Sequence, residues 1–280
     1  MKKVVKLLIA LSLISGIIMT GFTAMADEKK DEAPEKEKKL TVEEIIEKAN
    51  HVSYYQGIDG KSYVEMVITD SQGRTRNRGF TILRRNQDKK DEEQKYYVYF
   101  DKPSDVRKMV FLVWKHIGKD DDRWLYLPAL DLVKRIAASD KRTSFVGSHF
   151  YYEDVSGRSL EEDEHTLDGT DEKFYIVKNV PKKPDEVEFS SYRVWIDKEN
   201  FMPMKAEYMD KNGKKYRVME AIKVETIDDF PTVTKSRITD IESGGNTVMT
   251  FSDVKYNIGI PENAFTERYL RRAPRRWLKK

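Results

Sequence analysis

The residues of this chain that could carry acid–base or metal chemistry are few and scattered. It has four histidines and no cysteine. The histidines are His51, His116, His149 and His165. No two of them are three to five residues apart, and no thiolate is present, so the ligand spacing of a zinc site is missing. We therefore expect no bound metal.

Three further features have residue types that suggest chemistry, but each has the wrong spacing or context. Asp120–Asp122 lack the glycine turn and distal glutamate of a calcium-binding loop. Ser144–His149 has the sequence SFVGSH, which is not the Gly-x-Ser-x-Gly turn that exposes a serine nucleophile. His149 lies near Glu153 and Asp154, but a lone histidine beside acids more often makes a surface hydrogen bond. With no Gly-rich phosphate loop either, the sequence predicts neither an enzyme nor a cofactor.

Residues 1–26 have the pattern of a secretory signal peptide. Three lysines precede the apolar run Leu7–Ala24, and Ala24-Met25-Ala26 supplies a small-x-small cleavage motif. The alternative is a membrane anchor, because the run of about 18 residues is near the lower limit for a spanning helix. The motif and the charged stretch after it favour cleavage after Ala26. We expect a soluble protein exported to the periplasm.

Charge and composition limit the function classes further. Cleavage would remove three lysines and no acid, so the formal net charge of +3 would fall to 0, and global charge gives no reason to expect nucleic acid as a partner. Without cysteine, an exported protein must be held together by a sizeable hydrophobic core. Residues 27–39, DEKKDEAPEKEKK, predict a charged disordered linker, and residues 40–280 a single domain.

The predicted domain begins with a helix and continues as strands. Thr41 and Glu44 match a capping box, and apolar residues at helical spacing predict an amphipathic helix over residues 42–55. After the helix, the apolar period changes to two, and Asn212-Gly213 is a strong hairpin signal. The predicted strands cover residues 63–68, 80–83, 95–100, 108–114, 123–127, 174–177, 192–196, 204–209, 216–227, 233–241 and 247–256. The fold class is mainly β, with a strongly curved antiparallel sheet of about ten or eleven strands.

Two strands and the connection after them are unusually apolar. Met109–Trp114 and Trp124–Pro128 have no polar alternates, so both of their faces must be covered. The connection that follows should be polar. It instead carries two apolar runs separated by Ser139–Arg142. The apolar residues are Leu130, Leu132, Val133, Ile136, Phe145, Val146, Phe150, Tyr151 and Tyr152. We expect this connection to cover one face of the sheet.

The C-terminal segment, residues 268–280, has the sequence RYLRRAPRRWLKK. Basic residues mixed with aromatic ones can dock on anionic lipid head groups or an acidic partner. Alternatively, the aromatic residues hold the segment against the barrel while the arginines stay in water. The sequence leaves both open. The candidate partner contacts are Arg271, Arg272, Arg275 and Arg276.

Three stretches resemble a known family: Tyr96–His116, Asp121–Arg158 and Met249–Arg272. They are similar to the outer-membrane lipoprotein-sorting proteins, a family related to the LolA carrier in a group that includes LolB and RseB. The resemblance covers about Leu40–Leu278 and is most specific from Trp-Leu-Tyr-Leu-Pro to the Phe-x-Gly-Ser block. It implies an unclosed, many-stranded antiparallel β-barrel around an apolar cavity, lidded by short helices, with an acyl chain as cargo.

The two apolar strands and the connection after them predict where the site lies. The residues expected to bind the ligand are Phe111, Val113, Trp124, Tyr126, Leu127, Leu130, Phe145, Phe150 and Tyr152. LolA proper uses one arginine to hold its lid, and no single arginine here matches it. Arg135 and Arg142 are candidates because they lie near the predicted lid. The chain also differs from LolA in charged insertions around Asn86–Glu93 and Pro181–Glu188.

Three functions agree with these observations. The first is a monomeric periplasmic carrier that takes acylated lipoprotein or another lipid from an inner-membrane transporter to an outer-membrane acceptor. The second is an RseB-like regulatory adaptor, and the third is a lipid-feeding accessory of an export pump. A carrier predicts lipid that co-purifies with the protein. An adaptor predicts a stable protein partner whose binding survives mutation of the cavity.

Overall fold

In the computed structural model, the described residues are 39–87, 91 and 93–279. The predicted signal peptide, residues 1–26, and residues 27–38 of the predicted linker lie outside the described residues. From Leu40 onward, the chain forms one compact unit. No helix in the described part is long and apolar enough to cross a membrane.

Thirteen antiparallel strands form one open sheet. They are β1 (Asp59–Thr69), β2 (Thr75–Asn86), β3 (Gln94–Lys102), β4 (Val110–Lys115), β5 (Asp122–Leu127), β6 (Leu132–Ile136), β7 (Asp163–Thr170), β8 (Phe174–Pro181), β9 (Phe189–Asp197), β10 (Pro203–Asp210), β11 (Lys215–Ile227), β12 (Phe230–Asp240) and β13 (Gly245–Tyr256). The order is β6-β5-β4-β3-β2-β1-β13-β12-β11-β10-β9-β8-β7. Pairing of β1 with β13 therefore joins two meanders, and β6 and β7 are the edges. The prediction of an unclosed, mainly β fold is confirmed.

The two strands beyond the predicted eleven are these edge strands. Leu132–Ile136 was expected to belong to a helical lid, but it pairs with β5 from Leu127↔Leu132 to Arg123↔Ile136. Asp131 takes a left-handed conformation, φ 45°, and reverses the chain after the turn Pro128–Leu130. Strand β7 has the polar sequence DEHTLDGT. Because its apolar residues do not alternate with polar ones, the period of two did not predict this strand.

The described residues also form four short α-helices: α1 (Val42–Asn50), α2 (Tyr152–Ser156), α3 (Arg268–Arg271) and α4 (Arg275–Leu278). The capping box is present, since Thr41 Oγ1 accepts the N–H of Glu44 at 3.2 Å and the Glu44 carboxylate accepts the N–H of Thr41 at 2.8 Å. A π-helical turn, His51–Tyr55, follows α1. The apolar stripe of α1 packs against Val177 and Ile196 of the sheet. The predicted helix is confirmed, and its stripe is core packing.

The hairpin predicted at Asn212-Gly213 joins β10 to β11. Gly213 has φ 78° and donates its N–H to the carbonyl oxygen of Asp210 at 3.0 Å. Glycine reaches this conformation without the steric cost that a Cβ imposes. Local turn chemistry therefore sets this connection, as predicted.

Both faces of the sheet are covered at β4, as the apolar strands predict. Phe111 and Val113 lie on the face that we call inner, and Val110 and Leu112 lie on the outer face. All four are 0 % exposed. Because side chains alternate along a strand, complete burial of consecutive residues requires protein on each side.

Different segments cover the two faces. On the inner face, the connection between β6 and β7, residues 137–162, packs Phe145, Phe150 and Tyr152 against the sheet. On the outer face, the part of the chain that follows β13, residues 257–279, packs Phe265 and Leu270 against β3 and β4. It is also held by two hydrogen bonds, Trp114 Nε1 to the Phe265 carbonyl and Tyr97 Oη to the Tyr269 carbonyl, both at 2.7 Å. The apolar residues of the C-terminal segment therefore hold it to the sheet, as one of the two alternatives predicted.

Candidate functional site

A cavity of about 460 Å³ lies between the inner face of the sheet, α1 and the connection 137–162. Its walls come from most strands of the sheet and are largely apolar. They include Phe80, Ile82, Val177, Ile196, Met219 and Phe251. Period-two alternation places such residues on one face of each strand, and the curvature of the sheet brings those faces together.

The connection supplies the part of the wall that the sequence predicted best. Phe145 and Phe150 both line the cavity. Phe111, Val113 and Tyr152 belong to the buried cluster directly behind them, and Leu127 packs at the edge of that cluster. These six predicted site residues are therefore brought together, with two at the surface of the cavity and four supporting them.

Three other predicted site residues lie elsewhere. Trp124 and Tyr126 are on the outer face, where Trp124 packs edge-on against Trp114 at 4.8 Å and Tyr126 Oη donates to Asp131 at 3.1 Å. Leu130 is 70 % exposed. Their predicted placement in the cavity is wrong. The sequence of β5 is apolar on both faces, so it gave no sign of which residues face inward.

Phe145 is the central contact between the connection and the sheet. It is 0 % exposed. Its ring centroid lies 5.6 Å from that of Phe111, 5.9 Å from that of Phe100 and 6.2 Å from that of Phe80. A hydrogen bond of 2.7 Å from the N–H of Phe145 to the carbonyl of Phe150 closes the loop that presents this ring. Phe145 therefore fills the inner face beside the cavity.

A buried arginine ties the connection to the opposite half of the sheet. Arg217 of β11 is 1 % exposed and forms an ion pair with Asp154. It also donates to the carbonyl of His149 at 3.1 Å and lies over the ring of Tyr151 at 4.3 Å. Sequence reasoning missed Arg217. Arg217 lies two residues before Met219, which lines the cavity. The period of two along a strand could have predicted that both side chains are on the same face.

A second charged cluster lies inside the connection itself and is centred on Glu153, which is 2 % exposed. Its carboxylate accepts from Arg142 at 3.0 Å and lies 3.2 Å from Lys141 Nζ and 3.3 Å from Arg158 Nη1. Burial alone would raise the pKa of Glu153, but Arg142, Arg158 and Lys141 outweigh it and lower the pKa to about 2. Glu153 is therefore a fixed negative charge that holds three cations together.

Of the two arginines proposed for the lid, only Arg142 lies in the connection 137–162. Arg142 joins Glu153 to Glu188, whose Oε2 it contacts at 3.1 Å. Arg135 is instead exposed, pairs with Asp122 and lies over the ring of Trp124 on the outer face. Because Arg135 lies opposite the outward-facing Trp124 in the ladder, it is on the other side of the sheet from the connection, and its predicted role in the lid is wrong.

A family model described as an uncharacterized protein matches residues 92–272. A DUF1329 family protein from Desulfovibrio piger is 29% identical, with a TM-score of 0.73, over 82% of this chain and 98% of that chain. This chain belongs to the same LolA-like family. The LolA-like chain is also 27% identical to an outer membrane lipoprotein-sorting protein domain from Vibrio parahaemolyticus, with a TM-score of 0.74, over 82% of this chain and 97% of that chain.

A more distant structure shows the same fold. A LolA superfamily protein from Nitrosomonas europaea has a TM-score of 0.64 at 19% identity, over 82% of this chain and 100% of that chain. None of the curated proteins matches the chain. The family resemblance that the sequence suggested is confirmed, and the inner cavity occupies the interior of a LolA-like sheet.

The residues considered for acid–base chemistry do not form a pair in this LolA-like chain. His149 Nδ1 lies 2.8 Å from Thr247 Oγ1, and burial lowers the pKa of the imidazole. Glu153 and Asp154 are turned toward guanidinium groups instead. In the part of the chain that the structure describes, no three His, Cys, Asp or Glu side chains are grouped to hold a metal ion.

Gly157 ends α2 at a close approach to the cavity wall and supports a prediction. It has φ 80°, and a Cβ there would lie 2.7 Å from the ring of Tyr54. Gly157→Ala should lower the free energy of unfolding by about 2–3 kcal/mol, from backbone strain and overpacking together. Gly213→Ala is the control, because Gly213 has φ 78° with no atom within 4 Å of the added Cβ. Urea denaturation measures both, and equal losses would show that contact with Tyr54 does not matter.

Proposed function

We propose that this LolA-like protein is a periplasmic carrier. After removal of the signal peptide behind Ala26, it would bind the acyl chains of lipoproteins or of other lipids for transfer toward the outer membrane. The observation that carries the proposal is the cavity of about 460 Å³ with largely apolar walls. This volume is within the range of roughly 300–1,000 Å³ that small-molecule sites occupy. The Vibrio parahaemolyticus neighbour, described as a lipoprotein-sorting domain, supports it.

Acyl chains fit the chemistry of these walls. Each buried methylene group contributes about 0.8 kcal/mol, so about ten of them contribute roughly 8 kcal/mol before the cost of ordering the chain. No catalytic group is needed for this kind of binding.

The connection 137–162 provides a route of entry. The isolated β-bridge of the connection joins Ser144 to Tyr151, both within the connection itself. Ion pairs of Arg142 and Arg217 attach the connection to the far half of the sheet. The connection can therefore move away from the inner face without breaking the hydrogen bonds between strands of the sheet. Phe145 and Phe150 would be replaced at the wall by the acyl chain.

Native mass spectrometry of the protein purified from its own cell envelope tests the proposal. We expect a co-purifying species with the mass of an acylated lipid. Ala221 lines the cavity, so Ala221→Phe fills part of it and should reduce the bound fraction. Lipid-free protein that also fails to bind added fatty acid would contradict a carrier. A protein partner retained equally by wild type and Ala221→Phe would instead favour the RseB-like adaptor.

The exposed arginines of the C-terminal segment make an anionic membrane surface the proposed docking partner. Arg272, Arg275 and Arg276 are exposed, whereas Arg271 is paired with Asp131 at 2.9 Å. The double variant Arg275→Ser/Arg276→Ser should weaken binding to vesicles containing anionic lipid by roughly 30-fold, since each basic residue near such a surface contributes about 1 kcal/mol.

The control for this prediction removes two lysines from the β10–β11 hairpin, Lys211→Ser/Lys214→Ser, and lowers the net charge equally. Vesicle co-sedimentation at low and high salt measures both variants, and added salt should weaken wild-type binding. Equal loss in the two variants would show that total charge matters and that the C-terminal segment has no special role.

A further inference from the structure

Of the arginines that line the cavity in the described part of the chain, one lacks a carboxylate counter-ion. Four arginines line the cavity: Arg84, Arg142, Arg158 and Arg237. Three of them are neutralised, because Arg142 pairs with Glu153, Arg158 with Asp163 at 2.9 Å and Arg237 with Glu220 at 2.8 Å. Among the residues that the structure describes, no carboxylate lies within 4 Å of Arg84.

The sequence of β2 directs Arg84 inward. Phe80 and Ile82 precede it at a spacing of two, and all three line the cavity. Arg85 points to the other side, where its Nη1 donates to the carbonyl of Ile260 at 2.9 Å. Opposite Arg84 in the ladder is Gly60, and a Cβ there would lie 3.7 Å from Arg84 Nε and only 3.2 Å from the Lys255 carbonyl oxygen. Glycine at this position therefore keeps a side chain from crowding the guanidinium.

The groups around Arg84 satisfy it poorly. Its Nη1 donates to Asn86 Oδ1 at 3.3 Å, but the same oxygen accepts a shorter bond, 2.6 Å, from Gln94. The guanidinium also lies 5.6 Å from the centre of the Tyr256 ring. Burial lowers the pKa of Arg84, because the charge is removed from water with little to compensate it.

The nearest acid that acts on this charge is already occupied. Asp59 is 2 % exposed, and its carboxylate accepts the backbone N–H groups of Ile258 at 2.9 Å and of Gly259 and Ile260 at 3.1 Å. It also lies 3.8 Å from Arg85. Arg84 is half-buried in the cavity wall, so a ligand of opposite charge that displaces water there would form a charge-assisted pair with it in apolar surroundings.

We infer that the ligand of the cavity is an anionic amphiphile whose carboxylate or phosphate oxygens pair with Arg84. This inference rests on the proposed function and names the ligand class. The apolar walls take the acyl chain, and the guanidinium takes the head group. A guanidinium binds either oxyanion through two parallel N–H···O bonds. Neutral esters and amides cannot supply such a partner.

Competition binding with the mature chain tests the inference. A fluorescent cavity probe, N-phenyl-1-naphthylamine, is displaced by palmitate, by palmitoyl lysophosphatidate and by neutral monopalmitoylglycerol. The wild type should bind the better of the two anions about 10- to 100-fold more tightly than monopalmitoylglycerol, the range expected for a charge-assisted pair. A preference for palmitate identifies a carboxylate ligand, and a preference for lysophosphatidate identifies a phosphate.

Variants separate the role of Arg84 from that of charge in general. Arg84→Gln should bind all three compounds equally, whereas Arg84→Lys should keep most of the preference. Arg193→Gln is the matched control, since its guanidinium lies outside the cavity and pairs with Asp168, and it should keep the preference in full. Circular dichroism and thermal unfolding establish that each variant is folded.

A second readout does not depend on affinity. With carboxyl-labelled ¹³C-palmitate, the pKa of the bound carboxyl group should be lower in the wild type than in Arg84→Gln, because a nearby cation favours the ionised form. Equal affinity of the wild type for all three compounds, or an undiminished preference in Arg84→Gln, would overturn the inference while leaving the carrier function in place. If none of the three displaces the probe, the carrier function fails and the inference fails with it.

Discussion

Replacing Phe145 with alanine is expected to lower the free energy of unfolding by about 3–5 kcal/mol, the usual cost of deleting a fully buried aromatic ring. The ring is 0 % exposed and packs against Phe100 and Phe111. Its loss leaves a void at the contact between the connection and the sheet. Urea denaturation followed by tryptophan fluorescence measures the change.

The control for Phe145→Ala is Leu130→Ala, an apolar truncation next to the same connection. Leu130 is 70 % exposed, so its replacement should change stability by less than about 0.5 kcal/mol. Similar effects of the two substitutions would show that Phe145 is not a central contact.

The charged variant Phe145→Asp tests the connection as a lid. A carboxylate among these rings costs several kcal/mol if it stays buried, so the connection should open, with ligand affinity reduced and the strands still folded. Hydrogen exchange across residues 129–153, with and without a fatty-acyl ligand, reports the opening. Unchanged exchange on ligand addition, together with undiminished lipid binding by Phe145→Asp, would show ordinary packing and no lid.

Replacing Glu153 with glutamine should be as costly, at about 3–5 kcal/mol, because it leaves buried cations without their shared anion. Lys141, Arg142 and Arg158 all approach this carboxylate. The control is Glu186→Gln, whose ion pair with Lys183 is exposed and should contribute about 0–1 kcal/mol. Thermal and urea denaturation at pH 7 compare the two variants.

The dependence of stability on pH gives a separate signature of Glu153. Its pKa falls from an ordinary 4.5 to about 2 in the folded protein. The resulting stabilisation is therefore fully present above about pH 4.5 and is lost as the pH falls through the folded pKa near 2. It amounts to roughly 3 kcal/mol. The curve for Glu153→Gln should be flatter between pH 4.5 and 2 than that of the wild type; parallel curves would mean that other carboxyl groups control acid unfolding.

Some elements follow from local sequence alone. Thr41 and Glu44 cap α1 through bonds between residues three apart, and Asn212-Gly213 closes its hairpin within a few residues. Eleven of the strands correspond to runs with a period of two or to continuous apolar runs. These signals are local because turn and cap geometry depends on neighbouring residues, so no tertiary contact is needed to predict them.

The edge strands show where local pattern stops being sufficient. The run Leu132–Ile136 has the sequence LVKRI and is too short for its apolar residues to distinguish a helix from a strand. The run forms a strand because it pairs with β5 after the turn at Asp131. This pairing requires a free partner strand at the edge of the sheet, and the sequence of the run gives no information about that partner.

By itself, the sequence determined the fold class, the family, the position of the first helix and the apolar connection that contributes Phe145 and Phe150 to the cavity wall. Only the tertiary structure decided that Trp124 faces outward and that Arg217 and Glu153 anchor the connection. The tertiary structure also shows that, among the described residues, no carboxylate forms an ion pair with Arg84. The physical reason is distance along the chain: periodicity reports which residues share a face, but the partner of a buried face or charge is contributed by a remote strand, such as β11 for Asp154.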